Sequence, residues 1–117
     1  MDKGSTLQKI LISKGVEIVT VDTLTPKVVS DRLYQIGKSQ ILWECGGTLA
    51  AKAIADGTIQ KVMAFIAPKI IGGTSAPSPV GDLNLTMMTE ALALQEVRIK
   101  AIASDILVEG YLATDNK

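Results

Sequence analysis

An α/β domain, with short helices flanking a sheet and an antiparallel hairpin closing the chain, is what this sequence predicts. Three observations carry that prediction. Capping residues and glycines bracket three helical stretches, apolar runs rich in β-branched residues lie between them, and the last third of the chain changes to strict alternation.

The helices come first. Ser5 is placed to cap one that carries Leu7, Ile10 and Leu11 on one face and stops at Gly15. Thr25 followed by Pro26 starts a second: the hydroxyl accepts from a free N–H, and a proline at the first helical position loses no intrahelical bond. Val29, Leu33 and Ile36 follow at helical spacing, and Gly37 closes it. The third begins near Thr48, turns Leu49, Ala50, Ala53 and Ile54 inward and ends at Gly57. Strands are expected over 16–21, 40–44 and 61–67, the last two with runs that suit a sheet covered on both faces. Val97, Ile99 and Ala101 alternate with Arg98 and Lys100, giving one dry and one wet face. A tight turn near Ser104 and Asp105 returns the chain along 106–112. Residues 72–85, with two prolines and three glycines, read as a long loop, and no boundary splits the chain of 117 residues into two domains.

Composition narrows the function. Apolar residues make up 47%, too many for a disordered tail. Twelve basic residues balance twelve acidic ones, which gives no electrostatic reason to expect nucleic acid or an anionic membrane as partner. Aromatic residues are only 3%, so stacking platforms for single-stranded nucleic acid are lacking. Histidine is absent, which excludes Ser-His-Asp and Cys-His nucleophilic catalysis and any His-containing metal site within these residues. The single Cys45 forms neither an internal disulfide nor a Cys-rich zinc site and suits a reducing cytoplasm. The opening Met1-Asp2-Lys3-Gly4-Ser5 is polar, and no apolar run reaches the ~18 residues of a membrane span. Trp43 reads as core, and Met87-Met88 as gap-filling or loop packing.

The chemistry concentrates in Leu42-Trp43-Glu44-Cys45-Gly46-Gly47-Thr48-Leu49, where a strand is expected to end and a helix to start. Glycines let a ligand approach the backbone, and a helix start offers free N–H groups and a partial positive charge to a phosphate. The same pair of glycines also serves as a plain turn that lets helix and sheet pack. Cys45 reads as a small hydrophobe rather than a redox group.

Glu44-Cys45-Gly46-Gly47-Thr48-Leu49 is similar to the Glu-Gly-Gly-x-x-Leu motif of the reductase domain of riboflavin biosynthesis, with Cys45 in place of the first glycine. If that position demands a positive φ, Cys45 is strained there by roughly 1 kcal/mol. Downstream, Ile59 through Ala67 followed by Pro68-Lys69-Ile70-Ile71-Gly72-Gly73 looks like the next strand of that family and its Ala-Pro-Lys-x-x-Gly-Gly loop. The resemblance covers roughly residues 5–112. It implies a dihydrofolate-reductase-like mixed sheet with flanking helices, present here without its N-terminal half. It implies NADPH-dependent reduction of the ribosyl side chain of 5-amino-6-(5-phosphoribosylamino)uracil, with hydride going to the sugar C1 carbon. By position, Cys45, Gly46, Gly47, Thr48 and Leu49 would face the cofactor diphosphate, Gly72 and Gly73 would lie near the same cleft, and Glu44 would contact the substrate's sugar. Hydride transfer belongs to the cofactor, so the lack of histidine is no objection.

In that family's sheet the missing half supplies a strand between those equivalent to 40–44 and 61–67. Direct parallel pairing of the two across residues 48–57, or self-association through exposed edges to give a homo-oligomer, most simply a dimer, is therefore expected. Weak or no reductase activity is expected of these residues alone. A non-catalytic nucleotide-binding or assembly module of the same fold is the alternative, and a plain scaffold whose bend binds nothing is a third.

Overall fold

The structure is a computed structural model that describes residues 5–113; the polar opening Met1–Gly4 lies outside them. Helices α1 (Thr6–Ser13), α2 (Pro26–Gln35) and α3 (Gly47–Ala55) are followed by strand β1 (Lys61–Ile66), a short 3-10 turn at Met88–Glu90, and strands β2 (Leu94–Ile102) and β3 (Asp105–Leu112).

The helix ends follow from local chemistry. The Ser5 hydroxyl accepts from the N–H of Gln8 while the Gln8 side chain accepts from the N–H of Ser5, a reciprocal capping box. The Thr25 hydroxyl accepts from the N–H of Val28, and Pro26 occupies the first turn. All three helices stop in the same way. Gly15, Gly37 and Gly57 take φ of 81°, 87° and 69°. The N–H groups of Val16, Lys38 and Thr58 reach back to the carbonyls of Leu11, Leu33 and Ala53. This is the Schellman arrangement, which satisfies the last carbonyls and needs a left-handed residue. Helix α2 packs on α3, and the carboxylate of Asp56 at the end of α3 accepts from the N–H of Lys27 at 3.4 Å. Ala51, Ala53 and Pro26 are buried there. Ala51, rather than Leu49 or Ala50, joins Ala53 in the core, and Leu7 and Ile10 of α1 are exposed.

The sheet has the order β1-β3-β2 and is antiparallel throughout. Its hairpin turns at Ala103 and Ser104, with Ile102 opposite Asp105 and Ala103 at φ 53°, the positive φ that mirror-image hairpin turns use. A bulge between Gln95 and Arg98, with Glu96 at φ 51°, sets two residues against Gly110. A Cβ on Gly110 would stand 2.9 Å from the Cβ of Leu94, so the bulge and the glycine belong together.

Four expectations are corrected. Residues 16–21 and 40–44 carry the β-branched or apolar character of strands but enter no ladder among the described residues. Side-chain pattern makes a strand possible, whereas a ladder needs a neighbour to pair with. Direct parallel pairing of 40–44 with 61–67 does not occur, and β1 instead lies antiparallel to β3, with its other edge unpaired among the described residues. Nor are the strands covered: Phe65, Ile66 and Ile99 are more than half exposed, so the expected dry face of β2 is uncovered. Met87 and Met88 are exposed rather than gap-filling, and Trp43 is half-buried.

Candidate functional site

Helix α3 opens at the diglycine bend. Gly46 is its N-cap, with φ −75° and ψ 167°, a conformation any residue adopts. It has no side chain with which to cap, and no other side chain among the described residues takes that place. The first intrahelical bond runs from the N–H of Ala50 to the carbonyl of Gly46, which leaves the N–H groups of Gly47, Thr48 and Leu49 without a partner among the described residues. Three amides at one helix end, with the helix dipole behind them, favour an anion.

The two glycines are there for different reasons. A Cβ on Gly47 would collide with the carbonyl oxygen of Ser78 and stand 3.2 Å from the N–H nitrogen of Gly81. The N–H of Gly81 donates to the carbonyl of Gly47 at 2.9 Å, so the loop over residues 78–81 is seated against the helix start. Gly47 is therefore a packing glycine. A Cβ on Gly46 would meet nothing within 4 Å. Among the described residues neither backbone conformation nor any neighbour accounts for glycine at 46, and none of them covers its face.

Thr48 and Leu49 sit on the first turn of α3 and are exposed. Glu44 is exposed, with no hydrogen-bond or ion-pair partner among the described residues. Cys45 is a free thiol, half-buried, and its φ is not positive. The strain that would attend a left-handed cysteine is absent. Gly72 and Gly73 have φ of 68° and 110°, and the turn demands glycine at both. Next to them Ile70 and Ile71 are fully exposed. It is the 78–81 segment, not Gly72 and Gly73, that touches the bend.

A second polar feature was not anticipated. Glu109, in the middle of β3, is buried, and its carboxylate is held by Lys61 at 3.3 Å and Lys100 at 3.4 Å. The hydrogen bond from Lys61, with the charge of Lys100 added, keeps this carboxyl below its ordinary range against the opposing effect of burial. Lys61 also stands 5.6 Å from the ring centre of Tyr111, and Glu96, Arg98 and Gly110 complete a hollow around the pair. Alternation along β3 places Leu107, Glu109 and Tyr111 on one face, and this acid among apolar residues, opposite Arg98, was the available signal. No group of metal-ligating side chains suited to an ion occurs among the described residues. No helix among them is long and apolar enough to cross a membrane.

A three-stranded antiparallel sheet and three helices, the third opened by two glycines with three amides unpartnered among the described residues, make up a mixed α/β domain. The chain belongs to the RibD C-terminal domain family, whose model matches residues 2–108. It is 55% identical over 105 residues to the riboflavin biosynthesis protein PYRR, chloroplastic, of Arabidopsis thaliana, covering 90% of this chain and 18% of that protein. It is 56% identical over 97 residues to the riboflavin biosynthesis protein RibD of Synechocystis, covering 83% of this chain and 26% of the relative. A third relative is the 2,5-diamino-6-ribosylamino-4(3H)-pyrimidinone 5′-phosphate reductase of Methanothermobacter thermautotrophicus. It is 28% identical over 100 residues, 84% of this chain and 46% of that reductase. The chain thus spans less than half the length of each of these relatives.

Proposed function

We propose that these residues form part of a dihydrofolate-reductase-like domain that reduces the ribosyl side chain of a phosphorylated aminopyrimidine in riboflavin biosynthesis, with NADPH as reductant. Family membership and the name of the archaeal relative support the reaction class. The observation that carries the site is Gly46, which neither the backbone conformation nor any neighbour among the described residues explains, beside the three amides that have no partner there.

The bend fits a dinucleotide. The N–H groups of Gly47, Thr48 and Leu49 would donate to the diphosphate, and the bare Cα of Gly46 would let it reach them. Cys45 would flank the bend from the preceding residue, and Gly72 and Gly73 would border the cleft from the next loop. When bound, the nicotinamide supplies the hydride. The exposed carboxylate of Glu44, two residues before the bend, would accept hydrogen bonds from the sugar hydroxyls of the substrate and hold the acceptor carbon in position. The choice of NADPH over NADH rests on the family resemblance alone, as no side chain among the described residues is tied to a 2′-phosphate. The single cysteine suits a reducing compartment, and the cytoplasm is the reading for this chain, although the Arabidopsis relative is named as chloroplastic.

Titration of the 117-residue chain with NADPH, followed by cofactor fluorescence, tests the cradle. Saturable binding is expected, with cofactor oxidation slow or undetectable when the aminopyrimidine is added. Absence of binding at millimolar NADPH would refute the cradle. Binding with no turnover in any assembly would favour the non-catalytic module.

A further inference from the structure

The three helices are held at their starts in different ways. In α1 and α2 a hydroxyl, that of Ser5 or Thr25, accepts from the N–H of the third helical residue, Gln8 or Val28. Such a cap steadies the first turn and occupies one of its amides. Helix α3 starts at two glycines and has no side-chain cap. Glycine loses more conformational freedom on folding than any other residue, so a start of this composition is soft unless something braces it.

The brace comes from the carbonyl side. The N–H of Gly81 donates to the carbonyl of Gly47 at 2.9 Å. A Cβ on Gly81 would stand 3.1 Å from that carbonyl oxygen and 3.6 Å from the Cβ of the buried Ala51, so glycine on each side allows the approach. The donor is itself held. The Ser78 hydroxyl donates to the carbonyl of Val80 at 2.6 Å, and the carboxylate of Asp82 accepts from the N–H of Asn84 at 2.7 Å. Gly47 and Gly81 are half-buried, whereas Thr48 is exposed.

The carbonyl of Gly47 and the N–H of Thr48 belong to one planar trans peptide unit and point in opposite directions. Whatever fixes the carbonyl therefore fixes the amide. A donor on the carbonyl also polarises the unit and strengthens its N–H, by roughly 10–30%. We propose that Gly81 is a positioning residue of the cradle: through the Gly47 carbonyl it aims the Thr48 N–H at the diphosphate and leaves the amides of the first turn open. A hydroxyl at position 46 would also hold the turn, but it would occupy the Leu49 amide. For its ligand this proposal rests on the cofactor reading; the orientation of Thr48 by Gly81 does not.

Two variants of the 117-residue chain test it. Glycolate at position 81, an ester in place of the amide after Val80, removes the donor without added bulk. Gly81→Ala keeps the N–H and presses a methyl on the Gly47 carbonyl. In both, without ligand, the amide proton of Thr48 should move upfield. Affinity of the folded chain for inorganic diphosphate and for NADPH should fall about fivefold, the scale of one hydrogen bond. A contact that only stabilises would lower the denaturant midpoint and leave the Thr48 signal and both affinities unchanged. That result overturns the proposal, as does weakened binding with an unmoved Thr48 amide. If the Thr48 amide moves but the unaltered chain binds neither NADPH nor diphosphate, the cofactor reading falls and the coupling of Gly81 to Thr48 stands.

Discussion

Replacing Gly47 by alanine separates the packing role of this glycine from every role in binding. The added methyl would enter the space of the Ser78 carbonyl oxygen and press on the N–H nitrogen of Gly81, 3.2 Å away. Both are backbone atoms, so no rotamer change relieves the contact. The loop must move, which stretches the 2.9 Å bond from Gly81 to Gly47. Overpacking of this kind costs about 1–3 kcal/mol. The helix propensity of alanine over glycine returns up to about 1 kcal/mol, less at the first helical residue than in the interior. A net loss of about 1–2 kcal/mol follows, a fall in Tm of roughly 4 °C for each kcal/mol in a domain of this size. Urea denaturation followed by circular dichroism reads the change directly. An unchanged or raised midpoint for Gly47→Ala would refute the argument that the loop over 78–81 is seated on the helix start.

Gly46→Ala should leave stability within about 1 kcal/mol, because its conformation is open to all residues and its surroundings are empty. The same variant should weaken NADPH binding at least tenfold by calorimetric titration; unchanged affinity would remove Gly46 from the cradle. Thr25→Ala removes the hydroxyl that accepts from Val28 and should cost about 1 kcal/mol in a denaturant midpoint, with Thr25→Ser largely restoring it. The carboxyl of Glu109 is lowered in the folded state, so its contribution to stability is fully present above the ordinary value of 4.5 and is lost as pH falls through the lower folded value. Glu109→Gln should flatten that acid limb of a stability-against-pH curve, and an identical limb would show that the lysine pair does not set it.

Local chemistry was legible in the sequence, and long-range pairing was not. Ser5, Thr25 and Pro26 mark helix starts, and Gly15, Gly37 and Gly57 mark ends, because caps and left-handed stops act within a few residues. The hairpin at 94–112 was equally readable, since alternation and a short turn fix register locally. The segments 16–21 and 40–44 illustrate the limit. Their residues suit strands, but a ladder depends on a neighbour, and none of the described residues supplies one. At the site, the diglycine bend was visible as a motif, yet the motif does not distinguish Gly47, held by Ser78 and Gly81, from Gly46, held by nothing. Only the fold brings a loop about thirty residues away to one glycine and not the other. Glu109 escaped notice because an acid in an exposed hairpin is ordinary until two lysines from neighbouring strands converge on it.

The amide resonances of Gly47, Thr48 and Leu49 give the most direct test of the proposed diphosphate cradle. In a ¹⁵N-labelled sample titrated with NADPH, these three signals should shift together and saturate, and inorganic diphosphate should move the same set. Shifts confined to other residues, or none at these three up to millimolar nucleotide, would contradict the account.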